Sequence, residues 1–140
     1  MTVKIKNEPM AENERVIIQL LEEQQEELFQ TEIKKQQVSC AVYENDTYLG
    51  GATASIFGNT LHLSLLAVKK SARKQGIGTL LMNYIEKEAQ NYHCTYITVN
   101  TQDYQARQFY ERFGFSVFGE IKDSPFEGTT KYYLKKERTQ

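Results

Sequence analysis

"SARKQGIGTLL", Ser71 to Leu81, sets two glycines one residue apart between a run of cations and the start of an apolar, helix-like stretch. The first four N–H groups of a helix have no intrahelical partners. The macrodipole adds roughly half a positive charge at that end. Gly76 and Gly78 carry no Cβ, so a bulky anion can come close to the backbone there. Lys69, Lys70, Arg73 and Lys74 lie just upstream. Together these features suit a phosphate, above all a pyrophosphate. Taken alone, G-x-G also fits a capped loop with solvated lysines. The P-loop pattern G-x-x-x-x-G-K-[ST] is absent. The dinucleotide fingerprint G-x-G-x-x-G loses ground because its third glycine position is Leu81 and the unit comes late in the chain.

Around this segment the apolar pattern predicts layered strands and helices. Gly76 to Asn91 reads as a helix with Ile77, Leu80, Leu81, Tyr84, Ile85 and Glu88 along one side. Upstream, "LHLSLLAV" and "ATASIFGN" read as strands joined by a Gly58-Asn59 turn, an antiparallel hairpin. "QVSCAVYEND" is a further strand and "NDTYLGG" a turn. "TVKIKN" alternates as a short strand would. From Pro9 to about Lys35, Val16, Ile17, Leu20, Leu21, Leu28, Phe29 and Ile33 recur at helical spacing, as one long helix or two with a break. Downstream, "CTYITVN" is a β-branched strand. "DYQARQFYERFG" is a short helix that Asp103 can cap at its start and Gly114 at its end. "FSVFGEI" and "TKYYLKK" close the chain as strands. The expected class is α/β (α+β) around a mixed sheet.

At 140 residues the chain is expected to be one domain, 1–140. No apolar run approaches the roughly 18 residues of a membrane span. The start lacks a secretory h-region, so a cytoplasmic protein is expected. Cys40 and Cys94 fit a reducing compartment and read as small buried hydrophobes; neither sits in a metal-ligand spacing, so no metal is expected. Residues 1–32 hold eight Glu against Lys4, Lys6 and Arg15, net −5, and the remainder is net +4. An acidic front could attract a cationic substrate, although a solvated helix face is the simpler explanation. Nothing is basic enough for a nucleic-acid binder.

Two motifs carry a resemblance. "LLAVKKSARKQGIGTLLMNYIEKEA" has the form L-x-V-x-x-x-x-R-x-x-G-x-G, and "DYQARQFYERFGF" the form D/N-x-x-A-x-x-F-Y-x-x-x-G-F. At this spacing they resemble the GNAT superfamily of acyl-CoA-dependent N-acyltransferases, with the match strongest over about residues 61–119. The resemblance implies the GNAT fold: a central mixed, mostly antiparallel sheet of six to seven strands with helices on both faces. It implies that Arg73, Lys74, Gln75, Gly76, Ile77, Gly78 and Thr79 bind the CoA pyrophosphate. Leu66, Ala67 and Val68 would hold the pantetheine arm by main-chain hydrogen bonds, where the strand splays from "CTYITVN". A strand N–H near Leu66 or Ala67 would then be the oxyanion donor.

The implied reaction is transfer of an acetyl group from acetyl-CoA to a primary amine by direct attack. Tyr110 matches the tyrosine that protonates the leaving thiolate; packing on its helix is the alternative role. Where the family carries Asn, this chain has Asp103, which is assigned only the cap. Some family members place a glutamate on the strand before the glycine loop; here that strand offers His62 and Ser64, so His62 is the candidate base and water the other. By alternation, His62 shares a face with Ser64 and Leu66.

The family's acceptor walls correspond to residues 12–32 and to "KDSPFEGTTKYYL". Thr129 follows Gly128 where some relatives have histidine. Tyr132 and Tyr133 read as packing residues. The Glu-rich helix with Asp123 and Glu127 would suit a cationic small amine such as a polyamine or aminoglycoside; a protein amine is also open. Homodimers are common in the family. Two other functions compete: a non-catalytic acyl-CoA-sensing module of the same fold, and an ordinary nucleotide-binding domain.

Overall fold

The described residues, 2–29 and 34–139 of a computed structural model, form six strands and three α-helices. By internal contacts the chain divides into two units, residues 1–33 and 34–140.

In the first unit, α1 (Met10–Phe29) is one unbroken helix of 20 residues. It buries none of its own residues, and Val16, Ile17, Leu20, Leu21 and Leu28 are exposed. Ile33, expected on the same stripe, lies outside the described residues. The expected strand at "TVKIKN" does not form: no ladder takes residues 2–7, and Val3 and Ile5 are exposed. Alternation supplies a face, but a strand also needs a hydrogen-bonding neighbour.

The second unit contains the sheet. Its elements are β1 (Lys35–Glu44), β2 (Thr47–Phe57), β3 (Thr60–Val68), α2 (Ile77–Asn91), β4 (Tyr96–Thr101), α3 (Tyr104–Arg112), β5 (Ser116–Lys122) and β6 (Thr130–Glu137). The strand order is β1-β2-β3-β4-β6-β5. Only β3 and β4 run parallel, joined through the α2 crossover; every other pair is antiparallel. The fold is therefore α/β with a six-stranded, mostly antiparallel sheet flanked by helices. Gly58 and Asn59 close the β2–β3 hairpin as expected, with Phe57 paired to Thr60. The preceding turn is tighter than expected: Asn45 and Asp46 make it, Asn45 at φ +54°, and Thr47 to Gly51 already belong to β2.

The core forms where α2 packs on β1, β2 and β3. Leu61 and Leu63 of β3, Ile97 and Val99 of β4, and Leu134 of β6 meet Leu81, Met82, Ile85 and Ala89 of α2 in one buried cluster. The buried stripe of α2 is rotated from the expected one. Ile77, Leu81, Met82, Ile85 and Ala89 face inward, while Leu80 and Tyr84 are exposed. Small Ala89 and flexible Met82 let the helix axis approach the sheet; bulky Leu80 and Tyr84 would hold it off. A half-buried network pins the far end of α2: Glu86 accepts from Lys136 of β6 at 2.5 Å and lies 3.6 Å from Arg138. Arg138 also donates to the Cys94 carbonyl at 2.7 Å.

Candidate active site

The central strands separate partway along their length. β3 and β4 share four rungs, from Thr60–Tyr96 to Leu63–Val99. Beyond these, β3 continues to Val68 against β2 alone, and β4 continues to Thr101 against β6. The parting coincides with a bulge. Thr53 pairs with Leu65 and Ala54 with Leu63, so Ser64 is the extra residue. A bulge bends its strand and increases the local twist, which turns β3 away from β4.

The opening is a slot of about 480 Å³. Leu66, Val99, Ala106 and Tyr110 line it from the side of α2 and α3, and Leu65 and Asn100 from the opposite side of the sheet. Asn100, Thr101 and Gln102 were not singled out from the sequence. Polar residues ending a β-branched strand just before the Asp103 cap were the available signal.

Ser64 also resets the alternation of β3. Leu61 and Leu63 share the core face with Leu66 and Val68, whereas His62 shares the other face with Leu65 and Ala67. His62 therefore does not share a face with Leu66, contrary to simple alternation. Its Nδ1 lies 2.7 Å from Thr98 Oγ1 on β4.

Backbone direction sorts the β3 residues. The Lys69 N–H donates to the Leu49 carbonyl at 2.7 Å, so Lys69 faces β2. Backbone groups alternate along a strand. Ala67 therefore also faces β2, and Leu66 and Val68 present their N–H and C=O groups to the slot.

The glycine loop follows β3 at the end where the slot opens. A single 3₁₀ turn, Lys70–Ala72, is anchored by buried Ala72, while Arg73, Lys74 and Gln75 are exposed. Lys74 and Gly76 both take positive φ, at +65° and +80°. Gly76 is the α2 N-cap and offers no side-chain cap; the first helical bond runs from the Leu80 N–H to the Gly76 carbonyl. The Ile77, Gly78 and Thr79 amides that open the helix are thus outside its internal ladder. Gly76 is glycine for its conformation, because a Cβ there would meet nothing within 4 Å. Gly78 is glycine for space: a Cβ would lie 3.1 Å from the Phe109 ring of α3.

α3 positions Tyr110. Asp103 caps the helix, its carboxylate accepting from the Gln105 N–H at 2.8 Å, and Gly114 follows the last turn at φ +94°. Tyr110 is buried against Phe109 and Phe115, with edge-on ring centroids 5.3 and 5.7 Å away. Burial pushes its phenol up to about 12. Arg107 lies over the Tyr132 ring at 4.8 Å and near Glu111 and Glu120. Tyr133 packs on Phe118. Burial also raises both thiols; Cys94 is fully buried, but Cys40 is only half-buried, less than expected.

β6 runs antiparallel to β4, with Tyr132 opposite Thr101. The 123–129 loop that precedes it therefore lies at the slot's end of the sheet. It is tightly bonded: Asp123 accepts from the Gly128 N–H at 2.9 Å, and the Thr129 hydroxyl donates to the Phe126 carbonyl at 2.6 Å. Phe126 projects exposed from its tip.

The sequence pattern of the family described as "Acetyltransferase (GNAT) domain" matches residues 8–126. A Blasticidin-S acetyltransferase of Streptomyces morookaense is 35% identical over 95 residues, covering 67% of this chain and 69% of that protein. An acetyltransferase from Bacillus cereus superposes with a TM-score of 0.84 at 26% identity, over 97% of this chain and 98% of that one. An aminoglycoside 6'-N-acetyltransferase complexed with coenzyme A shares the fold at a TM-score of 0.65 and 21% identity, over 74% and 76% of the two chains. The chain belongs to the GNAT acetyltransferase family.

Proposed function

We propose that residues 1–140 act as one N-acetyltransferase domain that moves an acetyl group from acetyl-CoA to a primary amine. The observation that carries this reading is the slot where β3 and β4 part at Ser64, with Tyr110 on its wall and the glycine loop following β3. The residues present fit the donor. Gly76 leaves open space above the backbone, and Leu66 and Val68 offer free main-chain groups to an amide-bearing arm. Bound acyl-CoA would supply an activated acyl group and a thiol leaving group.

In this reading the Gly76, Ile77, Gly78 and Thr79 backbone holds the pyrophosphate, with Arg73, Lys74 and Gln75 beside it. Leu66 and Val68 fix the pantetheine arm, and a β3 N–H at Leu66 is the donor to the carbonyl oxygen. Ala67 lines the same strand but spends its backbone on β2. Tyr110 holds its proton throughout the neutral range, since its phenol sits at about 12. Full transfer to a thiolate of ordinary pKa near 8.5 would cost about 5 kcal/mol. Tyr110 is therefore a hydrogen-bond donor to the leaving sulfur first, and its proton moves late. His62 is the base, on the opposite sheet face behind the slot.

The acceptor in this proposal is a small cationic amine. Asp123 and Glu127 on the 123–129 loop support it, as do the antibiotic acetyltransferases among the relatives. Both cysteines are free thiols, and no described helix is long and apolar enough to cross a membrane; a cytoplasmic enzyme is consistent with both. Thermal shift against CoA, acetyl-CoA, longer acyl-CoAs, ATP and NAD tests the donor without the acceptor. Stabilisation by CoA species alone is expected. Stabilisation by ATP or NAD instead would overturn it. CoA binding with no transfer to any amine in a broad panel would favour the sensing module.

A further inference from the structure

Two polar side chains that face each other across β3 and β4, His62 and Thr98, occupy the last rung but one before the strands part. The Leu63–Val99 rung that follows turns its side chains into the core. On the other face, the next residues along the strands are Leu65 and Asn100, and both line the slot. The His62–Thr98 pair therefore immediately precedes two slot-lining residues, on the face of the sheet away from α2.

Thr98 is well fixed. It is central in β4, paired to His62 on one side and to Lys135 on the other. Its γ-oxygen, 2.7 Å from His62 Nδ1, engages one ring nitrogen and leaves the other unassigned. In a neutral imidazole one nitrogen carries the proton and the other the lone pair, so whichever role Nδ1 takes decides whether Nε2 can act as a base.

We propose that Thr98 is a positioning residue for the reaction: its hydroxyl oxygen accepts from the His62 Nδ1–H, which makes Nε2 the basic nitrogen. This rests on His62 being the base. In the step served, Nε2 takes one proton from the acceptor's ammonium group. The products are a neutral amine and an imidazolium, which returns the proton to solvent. The other charged or titratable side chains on this face of the neighbouring strands are Tyr96 of β4 and Lys131, Tyr133, Lys135 and Glu137 of β6. β2 presents only Thr53 and Ser55 beside His62 and Leu65. Lys135 leans over the Phe118 ring at 5.9 Å, so Thr98 is the group that bonds the imidazole.

The test reads the tautomer directly by ¹⁵N NMR of the His62 ring in the whole protein at a pH where it is neutral. The Nδ1–H form is expected in the parent and in Thr98→Ser, and a mixture of forms in the near-isosteric Thr98→Val. With an accepted amine, Thr98→Val should lower kcat about tenfold, the scale of one ordinary hydrogen bond, with KM for acetyl-CoA unchanged and Thr98→Ser restored to near the parent. An Nε2–H tautomer in the parent, or an unchanged tautomer and kcat in Thr98→Val, would overturn the role of Thr98. Full activity in His62→Gln would instead remove the base reading on which it rests, whatever the tautomer.

Discussion

The Phe109 ring occupies the space that a side chain at Gly78 would need: a Cβ there would lie 3.1 Å from the ring edge. The first turn of α2 and the helix that carries Tyr110 are thereby in direct contact. Gly78→Ala should destabilise the fold by about 1 kcal/mol, as modest overpacking does. Phe109→Leu should recover part of that cost, and a double-mutant cycle by denaturant unfolding checks it through a coupling of at least about 0.5 kcal/mol.

Gly76 makes the contrasting case. No neighbour crowds it, yet it holds φ +80°. Gly76→Ala should cost about 1 kcal/mol from backbone strain alone, and Gly76→Asn less. Isothermal titration should show CoA affinity falling with the alanine change and largely kept with asparagine, because asparagine holds the positive φ of the loop more readily than alanine.

Tyr110 gives a prediction at alkaline pH. An ordinary tyrosine ionises near 10, and this one is pushed up to about 12 by burial. The folded state thus keeps a proton that the unfolded state loses. The stability this confers is present below pH 10 and disappears as pH rises to 12, up to about 3 kcal/mol. Tyr110→Phe should remove that share of the alkaline loss, measured as the difference in unfolding free energy between the two proteins across this range. The same variant should lower kcat by about 10²-fold with KM for acetyl-CoA little changed.

Leu66 and Val68 turn their amides into the slot while Ala67 spends its own on β2. Hydrogen exchange should show the first two fast and Ala67 slow in the free protein. Saturating acetyl-CoA should slow Leu66 and Val68 at least tenfold and leave Ala67 as it was. Equal protection of all three before ligand is added would contradict the backbone directions.

Glu86 holds Lys136 and Arg138 at the opposite end of α2. Glu86→Ala should cost about 2 kcal/mol, between the values for exposed and buried pairs, because all three side chains are mostly covered. Urea midpoints report it, and acetyl-CoA affinity should not change.

The residues whose chemistry is local were legible in the sequence. Gly76 with its positive φ, the run of cations before it and the Asp103 carboxylate cap are each set by neighbours close in sequence, so spacing alone reveals them. Pairing was not legible. Ser64 is an ordinary strand residue by composition, and only its missing partner on β2 shows that the faces of β3 change over there. For the same reason simple alternation puts His62 with Leu66, and gives Val3 and Ile5 a strand that no neighbour among the described residues completes. On α2, Leu80 and Tyr84 drew the stripe by hydrophobicity, whereas Met82 and Ala89 won it by fit. At Gly78 the sequence points to a ligand, while its packing against Phe109 is visible only in the fold.

The four rungs from Thr60 to Leu63 stitch together two three-stranded halves, β1-β2-β3 and β4-β6-β5. The sheet is thus a garment with an open seam. An extended, amide-bearing arm laid along Leu66 and Val68 would extend the stitching, so that filling the slot and finishing the sheet become one event. Cooperativity between the halves should then be a property of the loaded protein more than of the empty one.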